Sequence, residues 1–173
     1  LKDKGYDGML VTDHDSYDGY NVWKKTSLSR ETEFVVLKGI EYDTRDAGHF
    51  IVIMPDGIEL KALTLRGMSV RSLVDLVHEY GGILGPAHPF GTRSSSAMLF
   101  HAMKKNRNLI NEFDFIEAFN ACEAVEANRL SNSMAYEYVK PMFGGSDSHD
   151  HKYVGMGYTD IDADIRSNND LIK

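Results

Sequence analysis

The stretch Gly144-Gly145-Ser146-Asp147-Ser148-His149-Asp150-His151 sets a carboxylate and an imidazole two residues apart, directly after an apolar run and a pair of glycines. Three other places repeat the theme: Thr12-Asp13-His14-Asp15, Gly39-Ile40-Glu41 with His49 soon after, and Ala87-His88-Pro89. Most of these motifs close a short apolar run that reads as a strand, over residues 8–12, 33–38, 83–87 and 141–143. Acids and imidazoles gathered at strand ends are the donor set of a divalent metal site.

Working outward, residues 49–54 form a further strand pattern, stopped by Pro55-Asp56-Gly57. Ser16 caps an expected helix running to about Arg30. Val70, Leu73, Val74 and Val77 share one helical face over residues 69–80, which Gly81-Gly82 ends. Residues 97–111 and 123–138 read as helices, and residues 114–119 and 156–159 as strands. There is no internal repeat, low-complexity tract or linker, so residues 1–173 read as a single domain. Strands alternating with helices imply an α/β fold with a parallel sheet and crossover helices. Polar motifs at the ends of many different strands favour a barrel over an open sheet, whose site gathers at one switch point.

The 173 residues are 42% hydrophobic, enough for one sizeable core. A net charge of −7 and a pI near 5.4 argue against a dedicated nucleic-acid or anionic-membrane binder. A small anionic substrate stays compatible, because bound metal ions reverse the local sign. The lone Cys122 excludes a disulfide framework or a cysteine zinc cluster. With no signal peptide or transmembrane run in view, a cytoplasmic, reducing location is expected.

Taken singly, His14, Glu41, His88, Asp147 and His149 each have an ordinary reading as loop or surface groups. Jointly, their position after separate strands points to one shared site. His49, at the start of a strand, can face the same mouth. His78 reads as a solvated helix residue, His101 as packing or surface, and His151 as a solvent-facing loop residue.

Thr12-Asp13-His14-Asp15 followed by Asp18-Gly19, then Gly-Ile-Glu, an isolated histidine, Ala-His-Pro and Gly-Ser-Asp-Ser-His resemble the polymerase-and-histidinol-phosphatase (PHP) domain family, in that family's motif order. The resemblance implies a distorted (β/α)7 barrel with a multinuclear metal site and metal-dependent hydrolysis of phosphoesters. It implies His14, Glu41, His49, His88, Asp147 and His149 as metal ligands. Glu41 would bridge two ions, and Glu41, Asp147 and His149 would stand at the catalytic centre. Two or three divalent ions are expected, with Mn, Fe or Zn suiting imidazole donors better than Mg. Such ions acidify a bound water and neutralise phosphoryl oxygens.

Asp13 is expected to orient a ligand from behind, whereas Asp15 reads as a loop hydrogen-bonding residue. Arg93, in the serine-rich loop after His88, is the first choice for gripping phosphate, ahead of Arg66 and Lys38. The chain departs from the family in having no His-x-His motif before His14. Residues 1–5 read as the last turn of a helix ended by Gly5, and residues 168–173 as the start of another. The expectation is a barrel whose first strand lies outside this chain, incomplete at its N-terminus and open to extension at its C-terminus. The expected function is hydrolysis of a small phosphorylated molecule, without a stable nucleic-acid partner. The rivals are a non-catalytic metal- or phosphate-binding module, including a polymerase accessory, and a metal-dependent amidohydrolase.

Overall fold

Seven short strands and six α-helices occupy the computed structural model, which describes residues Leu1–Lys173. β1 (Gly8–Val11) pairs in parallel with β2 (Val35–Lys38). β3 (Ile40–Thr44), β4 (Gly48–Ile53) and β5 (Ile83–Pro86) form a second sheet, and β6 (Ile116–Asn120) pairs in parallel with β7 (Met142–Gly145). Only Gly39 separates β2 from β3. Its N–H donates to Val11 O at 2.8 Å, and Glu41 N–H donates to Asp13 O at 3.1 Å, so the chain stays bonded to the first strand's end as it bends. Asp114 N–H donates to Leu84 O at 2.9 Å and carries the succession from β5 toward β6.

The fold is mixed α/β, as expected, but its ladders divide into three small sheets and no closed barrel is formed by them. The expectation of parallel pairing holds for the two outer sheets and fails in the middle one, which is antiparallel. For the β3–β4 pair the reason is connection length. Arg45-Asp46-Ala47 alone joins β3 to β4, far too short for a crossover helix. Thr44 Oγ1 closes this turn, accepting from Ala47 N–H at 3.0 Å and donating to Gly48 O at 2.7 Å.

One face of the middle sheet makes the core. Ile40, Tyr42, Phe50, Val52 and Leu84 are all at most 1% exposed. Against them packs α3 (Val70–Glu79), through the predicted stripe of Val70, Leu73, Val74 and Val77. Ser69 caps α3 by accepting from Ser72 N–H at 3.2 Å. The Phe50 and Phe113 rings meet edge-on at 5.1 Å.

Three elements differ from expectation. The helix from Ser16 is two pieces, α1 (Asp18–Lys24) and α2 (Leu28–Glu31). Between them Thr26 and Ser29 hydroxyls bond to the carbonyls of Trp23, Lys24 and Thr26, competing with helix continuation. Residues 97–111 form 3-10 turns around the short α4 (His101–Lys105). Buried Ala97, Met103 and Leu109 recur at six-residue steps, which a continuous helix would swing apart by about 120° each time. Residues 156–159 are not a strand: Thr159 Oγ1 takes Gly144 N–H at 2.9 Å and returns a bond to Gly144 O at 3.1 Å, replacing a backbone ladder. The remaining helices are α5 (Val125–Glu137) and α6 (Asn168–Ile172).

Gly85 of β5 lies against Phe115, the residue before β6, and a Cβ there would drive into the carbonyl oxygen and ring of Phe115. Gly85→Ala is therefore expected to cost about 1–3 kcal/mol. A urea unfolding midpoint equal to that of the wild type would show that the two strands can part freely.

Candidate metal centre

The other face of the β3–β4 hairpin is polar. Because side chains alternate along a strand, Glu41 and Asp43 share a face, opposite Ile51 and His49 of β4. His14 is brought there by backbone pairing: it forms an isolated parallel bridge with Glu41, and Asp15 N–H donates to Glu41 O at 3.0 Å. His88 follows β5, two residues beyond Pro86.

These residues converge on one carboxylate. His88 Nε2 lies 3.0 Å from Glu41 Oε1, His49 Nδ1 lies 2.9 Å from the same oxygen, and His14 Nε2 lies 3.8 Å from Oε2. Ligand atoms of His14, Glu41 and His49 all fall within 4.8 Å of one another. The ring of His49 stands 5.0 Å from that of His14 and 5.4 Å from that of His88. Burial alone would push the Glu41 carboxyl up. The close approach of His49 and a hydrogen bond with His88, together with the positive fields of His88 and His14, overcome it and hold the group down at about 2. Burial works against charge on His88 as well, but Glu41 beside it raises its pKa. Ser96 Oγ, 3.1 Å from His88 Nδ1, fixes the ring's other side.

The closing motif stands slightly apart from this centre. The His149 ring lies 5.7 Å from that of His14, and His149 Nδ1 lies 3.5 Å from Asp147 Oδ1. Asp147 Oδ2 accepts from Asn120 Nδ2 at 3.2 Å. Asn120 also donates to Glu117, whose buried carboxyl accepts the His88 N–H as well. Burial pushes Glu117 up to about 7, the two bonds only partly offsetting it. Sequence reasoning missed both Glu117 and Asn120. Their signal was a pair of polar residues inside an otherwise apolar strand.

Other expected residues fall as follows. Asp13 turns its side chain toward α1, accepting from Gly19 N–H at 2.6 Å, and meets Glu41 through its backbone. Asp15 Oδ1 accepts from Asp43 N–H at 2.9 Å. Arg93 is exposed and makes no ion pair. Arg66 instead reaches the rim, 3.2 Å from Asp15 Oδ2 and 3.7 Å from Asp43 Oδ2. Lys38 pairs with Glu59 at 2.8 Å and lines a separate cavity of about 440 Å³ that contains none of the candidate ligands. His78 pairs with Asp114 at 3.0 Å, His101 is exposed, and the His151 side chain is 99% exposed. Cys122 Sγ donates to Ser146 O and Asp147 O, each at 3.3 Å, and burial raises its thiol pKa.

The donor chemistry fits divalent ions. The His49 Nδ1 atom is buried and, despite its closeness to Glu41, makes no hydrogen bond. A buried imidazole nitrogen without a partner is costly, and ligation satisfies it.

Fold and site together define a mixed α/β domain with an imidazole-and-carboxylate cluster at its strand ends. Residues 125–173 match the PHP-associated family. The whole chain is similar in structure to PsfC from Pseudomonas syringae, at 17% identity and a TM-score of 0.71, over 99% of this chain and 75% of that one. It is also similar to a protein from Bifidobacterium adolescentis named as a proposed metal-dependent phosphoesterase. That likeness has 14% identity and a TM-score of 0.67, over 93% of this chain and 85% of the other. No curated protein matches the sequence. The family match is confined to residues 125–173, and the likeness of the rest of the chain to these two structures is one of fold.

Mn or Zn is expected to raise the thermal midpoint of metal-free protein. At a hundredfold excess over the dissociation constant the stabilisation is about 2.7 kcal/mol. His49→Phe, which keeps a ring in place, is expected to fold and lose most of that rise. A variant midpoint that climbs as far as the wild type's would remove His49 from the ligand set.

Proposed function

We propose that this protein is a metal-dependent phosphoesterase acting on a small phosphorylated molecule. The observation that carries the reading is the convergence of His14, His49 and His88 on the buried Glu41, with one imidazole nitrogen left without a partner. The likeness to a protein named as a proposed metal-dependent phosphoesterase supports it. His14, Glu41, His49, His88, Asp147 and His149 would hold two or three divalent ions, Mn, Fe or Zn by donor softness. Glu41 turns one oxygen toward His49 and His88 and the other toward His14, so it would offer a donor on each side.

Ions held there would supply charge neutralisation for phosphoryl oxygens and a more acidic water. The chain's own part is to hold the donors ready. Glu41 is kept ionised, Ser96 orients His88, and the backbone bridge fixes His14 against Glu41. Arg66, anchored by Asp15 and Asp43, and Arg93, unpaired in its loop, are the side chains we assign to the substrate phosphate. We read residues 1–173 as one domain of a (β/α)7-type barrel in which Asp13 supports Glu41 through its backbone carbonyl. The acidic balance argues for a small-molecule rather than nucleic-acid partner. No helix is long and apolar enough to cross a membrane, and a cytoplasmic location is our proposal.

The test is hydrolysis of a panel of phosphomonoesters and phosphodiesters with Mn, Fe or Zn added. Glu41→Gln is expected to lower turnover roughly 100-fold or more, with metal content falling and the circular dichroism spectrum unchanged. Absence of hydrolysis across the panel by metal-loaded wild type would favour the non-catalytic module. Cleavage of amides instead would favour the amidohydrolase.

A further inference from the structure

The chain carries four non-glycine residues with positive φ, and three of them lie in the site: Asp15 at 47°, His88 at 32° and Asp147 at 47°. The fourth, Val139, follows the end of α5, where left-handed backbone is common. A left-handed backbone at a residue with a Cβ costs on the order of 1–3 kcal/mol and persists only where its surroundings enforce it. A polar pair on β6 that takes no part in the ligand set bonds to the backbone of His88 and to the carboxylate of Asp147.

Resting on the metal-binding reading above, we propose that Glu117 and Asn120 are a positioning pair that locks the backbone of His88 and the carboxylate of Asp147 and thereby sets the spacing of these two ligands. The first support is strand geometry. Residues three apart on a regular strand point to opposite faces. The β6–β7 register shifts between Glu117 and Phe119, and this bulge turns Asn120 onto the face of Glu117. Asn120 Nδ2 then donates to Glu117 Oε2 at 3.2 Å and to Asp147 Oδ2 at 3.2 Å. Glu117 Oε2 also accepts the N–H of His88. A single carboxylate oxygen and a single amide thus tie the end of β5 to the end of β7.

The second support is the anchoring of the pair itself. Asn120 N–H donates to Asn128 Oδ1 at 2.8 Å, Asn128 Nδ2 returns a bond to Asn120 O at 2.9 Å, and Asn120 Oδ1 accepts from Cys122 N–H at 2.9 Å. The amide therefore cannot flip or swing without losing several bonds, and α5, which bears Asn128, holds it in place. Gly145 leaves the room required, since a Cβ there would stand 2.9 Å from Glu117 Oε1. A polar pair serving only the core would need neither the bulge nor the bond to Asp147.

Four variants test this: Glu117→Ala, Glu117→Gln, Asn120→Ala and Asn120→Asp. The readouts are crystal structures of the metal-free proteins, their thermal midpoints, and Mn affinity by calorimetry. In Glu117→Ala, His88 is expected to leave the left-handed region. Asn120→Ala is expected to weaken Mn binding about 10–100-fold and, by leaving Glu117 and the Cys122 N–H without its bonds, to lower the metal-free midpoint as well. The near-isosteric Asn120→Asp, which cannot donate to two carboxylates, is expected to lose at least as much. Glu117→Gln keeps an acceptor for both bonds and is expected to rescue most of the affinity. These isosteric variants decide the matter if the alanine variants fail to fold. Unchanged placement of the His88 backbone and the Asp147 carboxylate, or unchanged Mn affinity in Asn120→Asp, would overturn the pair. Wild type that takes up no Mn would defeat the functional reading alone, because the backbone readout still judges the pair.

Discussion

A buried carboxylate needs compensation, and Glu41 receives it almost entirely from imidazoles. Removing an ionised acid from water costs several kcal/mol unless partners return the loss. Here the partners come from three separate parts of the chain: the loop after β1, strand β4 and the loop after β5. The Glu41 requirement therefore constrains much more than one side chain. It demands that the first strand, the central hairpin and the fifth strand end at a common level, as the Gly39 bend and the short β3–β4 turn allow.

That demand also divides the hairpin into two working faces. Ile40, Tyr42, Phe50 and Val52 bury apolar surface on one side, while Glu41, Asp43 and His49 occupy the other. A one-residue slip in register would exchange these sets, burying the acids in the core and exposing the aromatics. Core packing and site assembly are thus enforced by the same pairing. The core's preference for Tyr42 and Phe50 inside is what keeps Glu41 and His49 outside it.

The sequence made the site more legible than the fold. His14, Glu41, His88 and Asp147 stand out because each is a chemically distinctive residue just after a recognisable apolar run. Strand direction was less visible, since apolar runs look alike whether their neighbours are parallel or antiparallel. The three-residue link at Arg45-Asp46-Ala47 carries that information, but with only Gly39 between β2 and β3 the sequence pattern does not mark where β3 begins. Glu117 and Asn120 were hidden for a related reason. Simple alternation sets them on opposite faces, and only the bulge, a property of pairing with β7, unites them. The broken helices at residues 16–31 and 97–112 depend on hydroxyl–backbone competition and on what each turn buries, neither of which periodicity records.

The short link between β3 and β4 has a kinetic side. Glu41 and His49 are near neighbours along the chain, so closing their hairpin is a microsecond-scale event with little loop entropy to lose. His88 must wait for β5, and Asp147 and His149 for the last strand, whose pairing is far more distant in sequence. The donors accordingly assemble in chain order, a few local ones first and the remote ones last. A chain synthesised from its N-terminus thus carries the paired Glu41–His49 edge well before the last strand is made.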